Sequence, residues 1–182
     1  MIILGIDPGT ATTGYGLIRV PEDILGREFD YGIELVDYGF ISTPKDELMT
    51  KRLVKLHHEM EDLVEKHKPD MIVIEMLFFG VNTKTAISVG QARGVIMLTA
   101  GKHNVPIHEY SGLTVKLMVA GSGRADKKQV HEGVRRFLGK DGHRSKELSK
   151  PMAGSKRKKS FNDDAADAVA IAICHVLKLA AK

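Results

Sequence analysis

The chain has 182 residues, 43% hydrophobic and 27% charged, the profile of a soluble globular protein with one sizeable core. No apolar stretch is long enough to cross a bilayer, no N-terminal segment has the layout of a secretion signal, and Cys174 stands alone, which excludes an internal disulfide; a reducing cytoplasm is the expected home. The net charge of +4 is uneven: eight Lys and Arg between Lys140 and Ser160, against Asp141 and Glu147, give that stretch +6 and leave −2 elsewhere.

Residues 2–7 form a short apolar run ending in Asp7, the pattern of a buried strand, and Pro8-Gly9 turns the chain. Residues 13–20 and 33–42 alternate apolar with polar and predict two more strands, joined by a hairpin loop over 21–31. Leu53, Leu56, Met60, Leu63 and Val64 then recur at helical spacing, predicting a helix from about 46 to 67 that Pro69 ends. Residues 71–75 are a second apolar run ending in an acid, Glu75. A helix over 83–103, a strand over 105–110 and helices over 112–119 and 126–138 follow. The basic stretch 139–162 has no apolar period and reads as loop, and 163–180 is a last helix rich in Ala, Val and Ile. This order predicts an α/β fold: a mixed five-stranded sheet, a three-strand antiparallel meander continued by parallel βα units, with helices on its faces.

In such sheets functional groups gather beyond the carboxyl ends of the parallel strands. Asp7 and Glu75 both end apolar strands, and a carboxylate there is costly unless something compensates it. Asp164 and Asp167 lie three apart at the start of the last helix and project from one side. Acids in a first turn also complement the helix dipole, a part that Asp163 can play. Together the four make a cluster of hard oxygen ligands with no competing Cys/His set of zinc spacing, which favours Mg²⁺ or Mn²⁺. Two such ions roughly 3.5–4 Å apart stabilise the attacking and leaving oxygens of a phosphodiester displacement.

These stretches resemble the RuvC family of Holliday-junction resolvases, within the RNase H-like nucleases. The resemblance rests on Ile3 to Gly9 with Thr13-Gly14-Tyr15-Gly16, Ile74-Glu75 followed by Phe78, Gly90-Gln91-Ala92-Arg93-Gly94, Tyr110 with Lys116, Gly123 through Val130, and Asp164-Ala165-Ala166-Asp167-Ala168. It spans nearly the whole chain and implies a single RNase H-like nuclease domain over 1–182, with 140–162 a basic loop within it. It implies a Mg²⁺-dependent crossover junction endodeoxyribonuclease in DNA recombination and repair. Asp7, Glu75, Asp164 and Asp167 would hold two Mg²⁺ per site, with Mn²⁺ a substitute. The expected partners are four-way junction DNA, a second copy in a homodimer that makes paired nicks, and the branch-migration proteins RuvA and RuvB.

The same resemblance assigns Phe78 or its neighbour Phe79 to stacking on bases, Lys116 and Lys127 to phosphates near the cut, and Arg124 and Lys128 to further phosphate contacts. The helix with Gly90 and Ala92 corresponds to the family's dimer-forming helix. His175, eight residues past Asp167, is expected to pack rather than ligate, and His57, His58 and His67 to lie on the surface. The basic segment is longer than the family's usual short link, and Lys156 to Lys159 are expected to meet a junction arm. Three other readings are weighed. An actin-like nucleotide-binding domain needs more chain than 182 residues. A non-catalytic junction binder would lack one or more acids. An RNase H-like ribonuclease shares the metal chemistry and differs only in substrate.

Overall fold

The structure is a computed structural model that describes residues 1–21, 32–76, 83–138 and 161–181. Its strands are β1 (Ile2–Asp7), β2 (Thr12–Arg19), β3 (Glu34–Ser42), β4 (Met71–Glu75) and β5 (Ile107–Tyr110). Its helices are α1 (Met49–His67), α2 (Thr83–Lys102), α3 (Gly112–Ala120), α4 (Lys127–Phe137) and α5 (Phe161–Ala180). The strands form one sheet in the order β3-β2-β1-β4-β5. β1–β2 and β2–β3 pair antiparallel, β1–β4 and β4–β5 parallel, which is the expected meander continued by βα units.

Successive side chains of a strand point to opposite faces of the sheet. Leu4 and Ile6 of β1, with Ile72 and Ile74 of β4, pack beneath Leu56, Met60 and Val64 of α1 and Ala92, Ile96 and Ala100 of α2. Ile3 and Val73 point the other way, into a core shared with α3, α4 and α5. Both central strands are therefore covered on two sides, which is why they read as unbroken apolar runs. α5 is buried from Ala165 to Leu177 apart from Asp167, held between the sheet, α3 and α4. That explains its apolar residues on nearly every side.

α5 lies unusually close to the sheet. A Cβ on Gly5 would collide with the Ala168 carbonyl, and one on Gly14 with the Asp164 carbonyl. Only glycine permits that approach.

Some boundaries differ from the sequence reading. α1 starts at Met49 rather than near 46, because residues after Pro44 form a turn in which the Glu47 N–H donates to the Pro44 carbonyl. β5 starts at Ile107 rather than 105, because the Val105 N–H closes the end of α2 on the Ala100 carbonyl and Pro106 has no N–H to give. The last two residues of the expected 140–162 loop are already in α5. The rest of that loop, and the hairpin loop over 22–31, lie outside the described residues.

Candidate active site

Alternation along the strands puts two acids on one face. Ile3 and Gly5 point toward α5, so Asp7 does too; Val73 points toward α5, so Glu75 does too. The parallel register pairs Ile6 with Ile74, so Asp7 and Glu75 follow side by side at the carboxyl ends of β1 and β4. Asp7 also pairs across to Gly14, the residue on which the Asp164 carbonyl rests. The close seat of α5 thus lowers Asp164, and Asp167 one turn on, over the same strand ends. α3 begins with Gly112, where a Cβ would collide with Glu75 Oε1.

The surroundings of the cluster are held tightly. After β1, the Thr13 hydroxyl donates to the Gly9 carbonyl at 2.6 Å, and Arg52 of α1 donates to the Thr10 carbonyl at 2.7 Å and the Thr43 hydroxyl at 3.0 Å. After β4, Arg93 of α2 donates to the Glu75 carbonyl at 2.7 Å and pairs with Glu109 at 2.6 Å, with its side chain only 13% exposed. Arg52 and Arg93 carry structural weight the sequence reading missed. A signal existed for Arg93, which follows Ala92 on the core side of an otherwise apolar helix, a place where charge needs a partner.

Electrostatics mark the four acids as a strained set. Burial, then repulsion from Asp167, Glu75 and Asp164, pushes the Asp7 carboxyl from its ordinary 3.8 up to about 7, against the opposing pull of Lys127. Burial also raises Glu75, with Asp167 adding to it and Lys116 opposing. Asp164 is raised chiefly by burial, and Lys127 opposes that. Asp167 goes the other way: burial works against its charge, but His131 and Lys127 outweigh it and hold the carboxyl below its ordinary value. Lys127 Nζ sits 3.1 Å from Asp167 Oδ2, and its own pKa rises although burial opposes the charge.

Such a set fits divalent cations, because mutual repulsion of buried carboxylates is what a metal relieves. Among the described residues no three acidic, histidine or cysteine side chains are already closed into a ligand shell. Asp167 instead turns to the Lys127 ammonium, 3.1 Å from its Oδ2.

The predicted basic residues divide into two pairs. Lys116 faces Glu75 and Lys127 faces Asp167, across a recess of about 140 Å³ floored by Val115, Val130, Ala170 and Ile171. Arg124 and Lys128 are exposed and do not line the recess; Lys128 is 3.9 Å from Glu132. Phe78, Phe79 and the four basic residues 156–159 lie outside the described residues. His131, one turn after Lys127, also faces Asp167 and was missed, although i, i+4 spacing on α4 is a readable signal. A larger cleft of about 410 Å³ lies at the opposite end of the sheet, where Glu65, Lys68, Asp70 and His103 are charges of mixed sign and make no comparable cluster.

His175 is buried and bonds through Nδ1 to the Tyr110 hydroxyl at 2.9 Å, a packed role as expected. Two of the three histidines expected on the surface are not there. His57 bonds Thr99 at 2.8 Å and His67 lies 3.1 Å from Asp37, because α1 presses against α2 and β3; only His58 is exposed. Gly90 lies on the open side of α2, but Ala92 is fully buried in the core and takes no part in that face.

Known proteins are similar to this chain in sequence and in fold. The family model for crossover junction endodeoxyribonuclease RuvC matches residues 3–175. The RuvC of Desulfitobacterium hafniense (strain DSM 10664 / DCB-2) is 47% identical over 175 residues, 96% of this chain and 92% of that protein. The RuvC of Caldicellulosiruptor saccharolyticus is 43% identical over 177 residues, 97% and 93% of the two chains. Among solved structures, Thermus thermophilus RuvC superposes with a TM-score of 0.76 at 27% identity, covering 98% of this chain and 95% of that one. The T. thermophilus RuvC in complex with Holliday junction substrate gives 0.78 at 26%, covering 100% and 96%. With the family model, the near-full-length sequence matches and the fold in agreement, the chain belongs to the RuvC family of crossover junction endodeoxyribonucleases.

Proposed function

We propose that the protein is a structure-selective endonuclease that resolves Holliday junctions by paired, symmetric nicks, using divalent ions held by Asp7, Glu75, Asp164 and Asp167. One observation carries this: acids from three distant parts of the chain meet where parallel strands β1 and β4 end, with two lysines facing them. These four carboxylates would hold two Mg²⁺ ions, or Mn²⁺ in their place, which would supply Lewis acidity toward water and offset charge on the displaced phosphodiester. The chain's own groups do the rest. The four carboxylates fix where cations reside. Lys116 and Lys127 draw the scissile phosphate to the recess and add positive charge beside it. The exposed Arg124 and Lys128 hold the flanking backbone. Phe78 or Phe79 stacks on bases at the opened junction, a contact worth roughly 1–3 kcal/mol per base.

The chain acts as a single nuclease domain, and Lys156 to Lys159 of its basic segment contact an arm of the junction. Paired nicks need two sites, and a homodimer through the open face of α2 provides them. RuvA and RuvB deliver the junction, and the work takes place in the cytoplasm. No described helix is long and apolar enough to cross a membrane.

The test is cleavage of a synthetic four-way junction with Mg²⁺, beside linear duplex of the same sequence. Symmetric nicks in opposing strands, with the duplex spared, are expected. Asp7→Asn should lower the rate by more than about 100-fold, since even outer partners of metal ligands cost about 10–100-fold. It should leave junction binding within a few-fold of the parent. Normal cleavage by that variant would mean that the site lies elsewhere.

A further inference from the structure

The structure assigns His131 as a positioning residue that keeps Asp167 aimed at the cation site once DNA has drawn Lys127 away. This rests on the reading of Asp167 as a divalent-ion ligand and adds a residue to it.

The argument starts at the N-terminus of α4. Asp126 accepts from the Gln129 N–H at 2.8 Å, and Gln129 Oε1 accepts from the Asp126 N–H at 2.9 Å. This reciprocal cap fixes the first turn. Lys127 and His131 follow at i and i+4, so one side of a well-anchored helix presents both. Each faces a different oxygen of one carboxylate: Lys127 Nζ is 3.1 Å from Asp167 Oδ2, and His131 Nε2 is 3.8 Å from Oδ1.

The two arms differ in what they can do. The Lys127 side chain is 63% exposed, long and strongly hydrated, so a phosphate competes for it readily. The His131 side chain is 20% exposed and short, and no DNA phosphate draws it out. Its Nε2 is buried and, among the described residues, lies within hydrogen-bond distance of no partner, the nearby Asp167 Oδ1 being 3.8 Å away. A buried donor without a partner is costly, and the carboxylate oxygen in front of it is the group that relieves the cost. The gap of 3.8 Å exceeds a hydrogen bond by about an ångström, which one turn of the Asp167 side chain closes. While Lys127 pulls on Oδ2, that turn is opposed. When Lys127 moves to DNA, it is free, and Asp167 exchanges an ammonium for an imidazole instead of facing Asp7 and Glu75 alone. Ligating carboxylates are held by such outer hydrogen bonds elsewhere, at about 10–100-fold in metal affinity. The role needs only a neutral imidazole with its proton on Nε2, and no change of protonation.

The experiment measures Mn²⁺ binding to the full chain by calorimetry, with and without a saturating non-cleavable junction, alongside cleavage kinetics. His131→Phe keeps the volume and removes the donor; His131→Gln keeps a donor at similar reach. With junction present, His131→Phe should weaken Mn²⁺ about 10-fold or more and lower kcat with KM little changed, while His131→Gln recovers most of both. Without junction, where Lys127 still holds Asp167, the loss should be smaller. Asp167→Asn serves as the reference. If it abolishes the tight Mn²⁺ site while His131→Phe binds like the parent, the positioning role is overturned. If Asp167→Asn itself leaves Mn²⁺ binding intact, the ligand reading fails first and takes the role of His131 with it. Equal losses for His131→Phe and His131→Gln would reduce the residue to packing and also overturn it.

Discussion

Asp7 sits where its own charge is unwelcome. Burial and three neighbouring acids lift its carboxyl from 3.8 to about 7, so in the metal-free protein it holds a proton well into the neutral range. The linkage has a definite sign. A group whose folded pKa is raised stabilises the fold fully below the unfolded value and loses that contribution as the pH climbs through the folded one. The metal-free protein should therefore lose stability between about pH 4 and pH 7 on account of Asp7. At about 1.4 kcal/mol per pH unit, the rise from 3.8 to about 7 sets a ceiling of roughly 4 kcal/mol. Asp167 works in the opposite sense, because His131 and Lys127 outweigh burial and hold it low; its contribution is present at neutral pH and lost on acidification. Asp7→Asn never ionises and escapes the first penalty. In EDTA, urea unfolding should find the variant close to the parent near pH 4 and more stable than it near pH 8, with added Mg²⁺ favouring only the parent. Parallel stability curves across that range would show that the acid is not buried against its charge.

α5 is the part of the fold on which the site depends most. Its backbone rests on Gly5 and Gly14, so the depth of that seat sets how far Asp164 and Asp167 stand from Asp7 and Glu75. Gly14→Ala should push the start of α5 outward and cost about 1–3 kcal/mol of stability, the usual penalty of overpacking. The same shift should weaken Mn²⁺ binding, measured beside Tm on one preparation; a lower Tm with unchanged Mn²⁺ affinity would separate the helix seat from the site. Much of this was legible beforehand. Two apolar runs ending in acids, and a pair of aspartates opening an apolar helix, locate the carboxylates because buried charge is rare enough to be informative. The switch between alternating and helical periods marked parallel βα units, while the pairing of β1 with β4 stood only as a condition until the structure showed it. The glycines were legible only as a motif, since their reason is a contact with a helix about 150 residues later in the chain. His57 and His67 were misread because polarity alone does not reveal that α1 turns their side against α2 and β3. Arg93 and His131 had local signals, a charge on a core side and i, i+4 spacing, but their tertiary partners, Glu75 and Asp167, are named by no local pattern.

A resolvase that nicks two opposing strands needs two sites held in fixed relation, and one open surface suits that need. α2 buries Ala92, Ile96 and Ala100 against the sheet. On the opposite side Ile87 is 76% exposed and Leu98 59%, and a Cβ on Gly90, Gly94 or Gly101 would meet nothing within 4 Å. These residues share one stripe at helical spacing, with Ile87 and Leu98 flanking the hollow at Gly90 and Gly94, and Gly101 one turn beyond Leu98, so a second helix can approach closely. In the chain taken alone, Gly94→Ala should be harmless or stabilising, by up to about 1 kcal/mol of helix propensity. If the stripe is the dimer face, the same methyl group stands in the way of the partner, and the protein should dissociate at higher concentration than the parent. Leu98→Glu should do so more severely, since it places a charge at the seam. Sedimentation across a dilution series measures both, and junction nicking gives the consequence. The four carboxylates are untouched, so single nicks should persist while the paired nicks of one binding event are lost. Dissociation without loss of pairing would mean that the DNA itself brings two protomers together; a dimer indifferent to both substitutions would move the interface off α2.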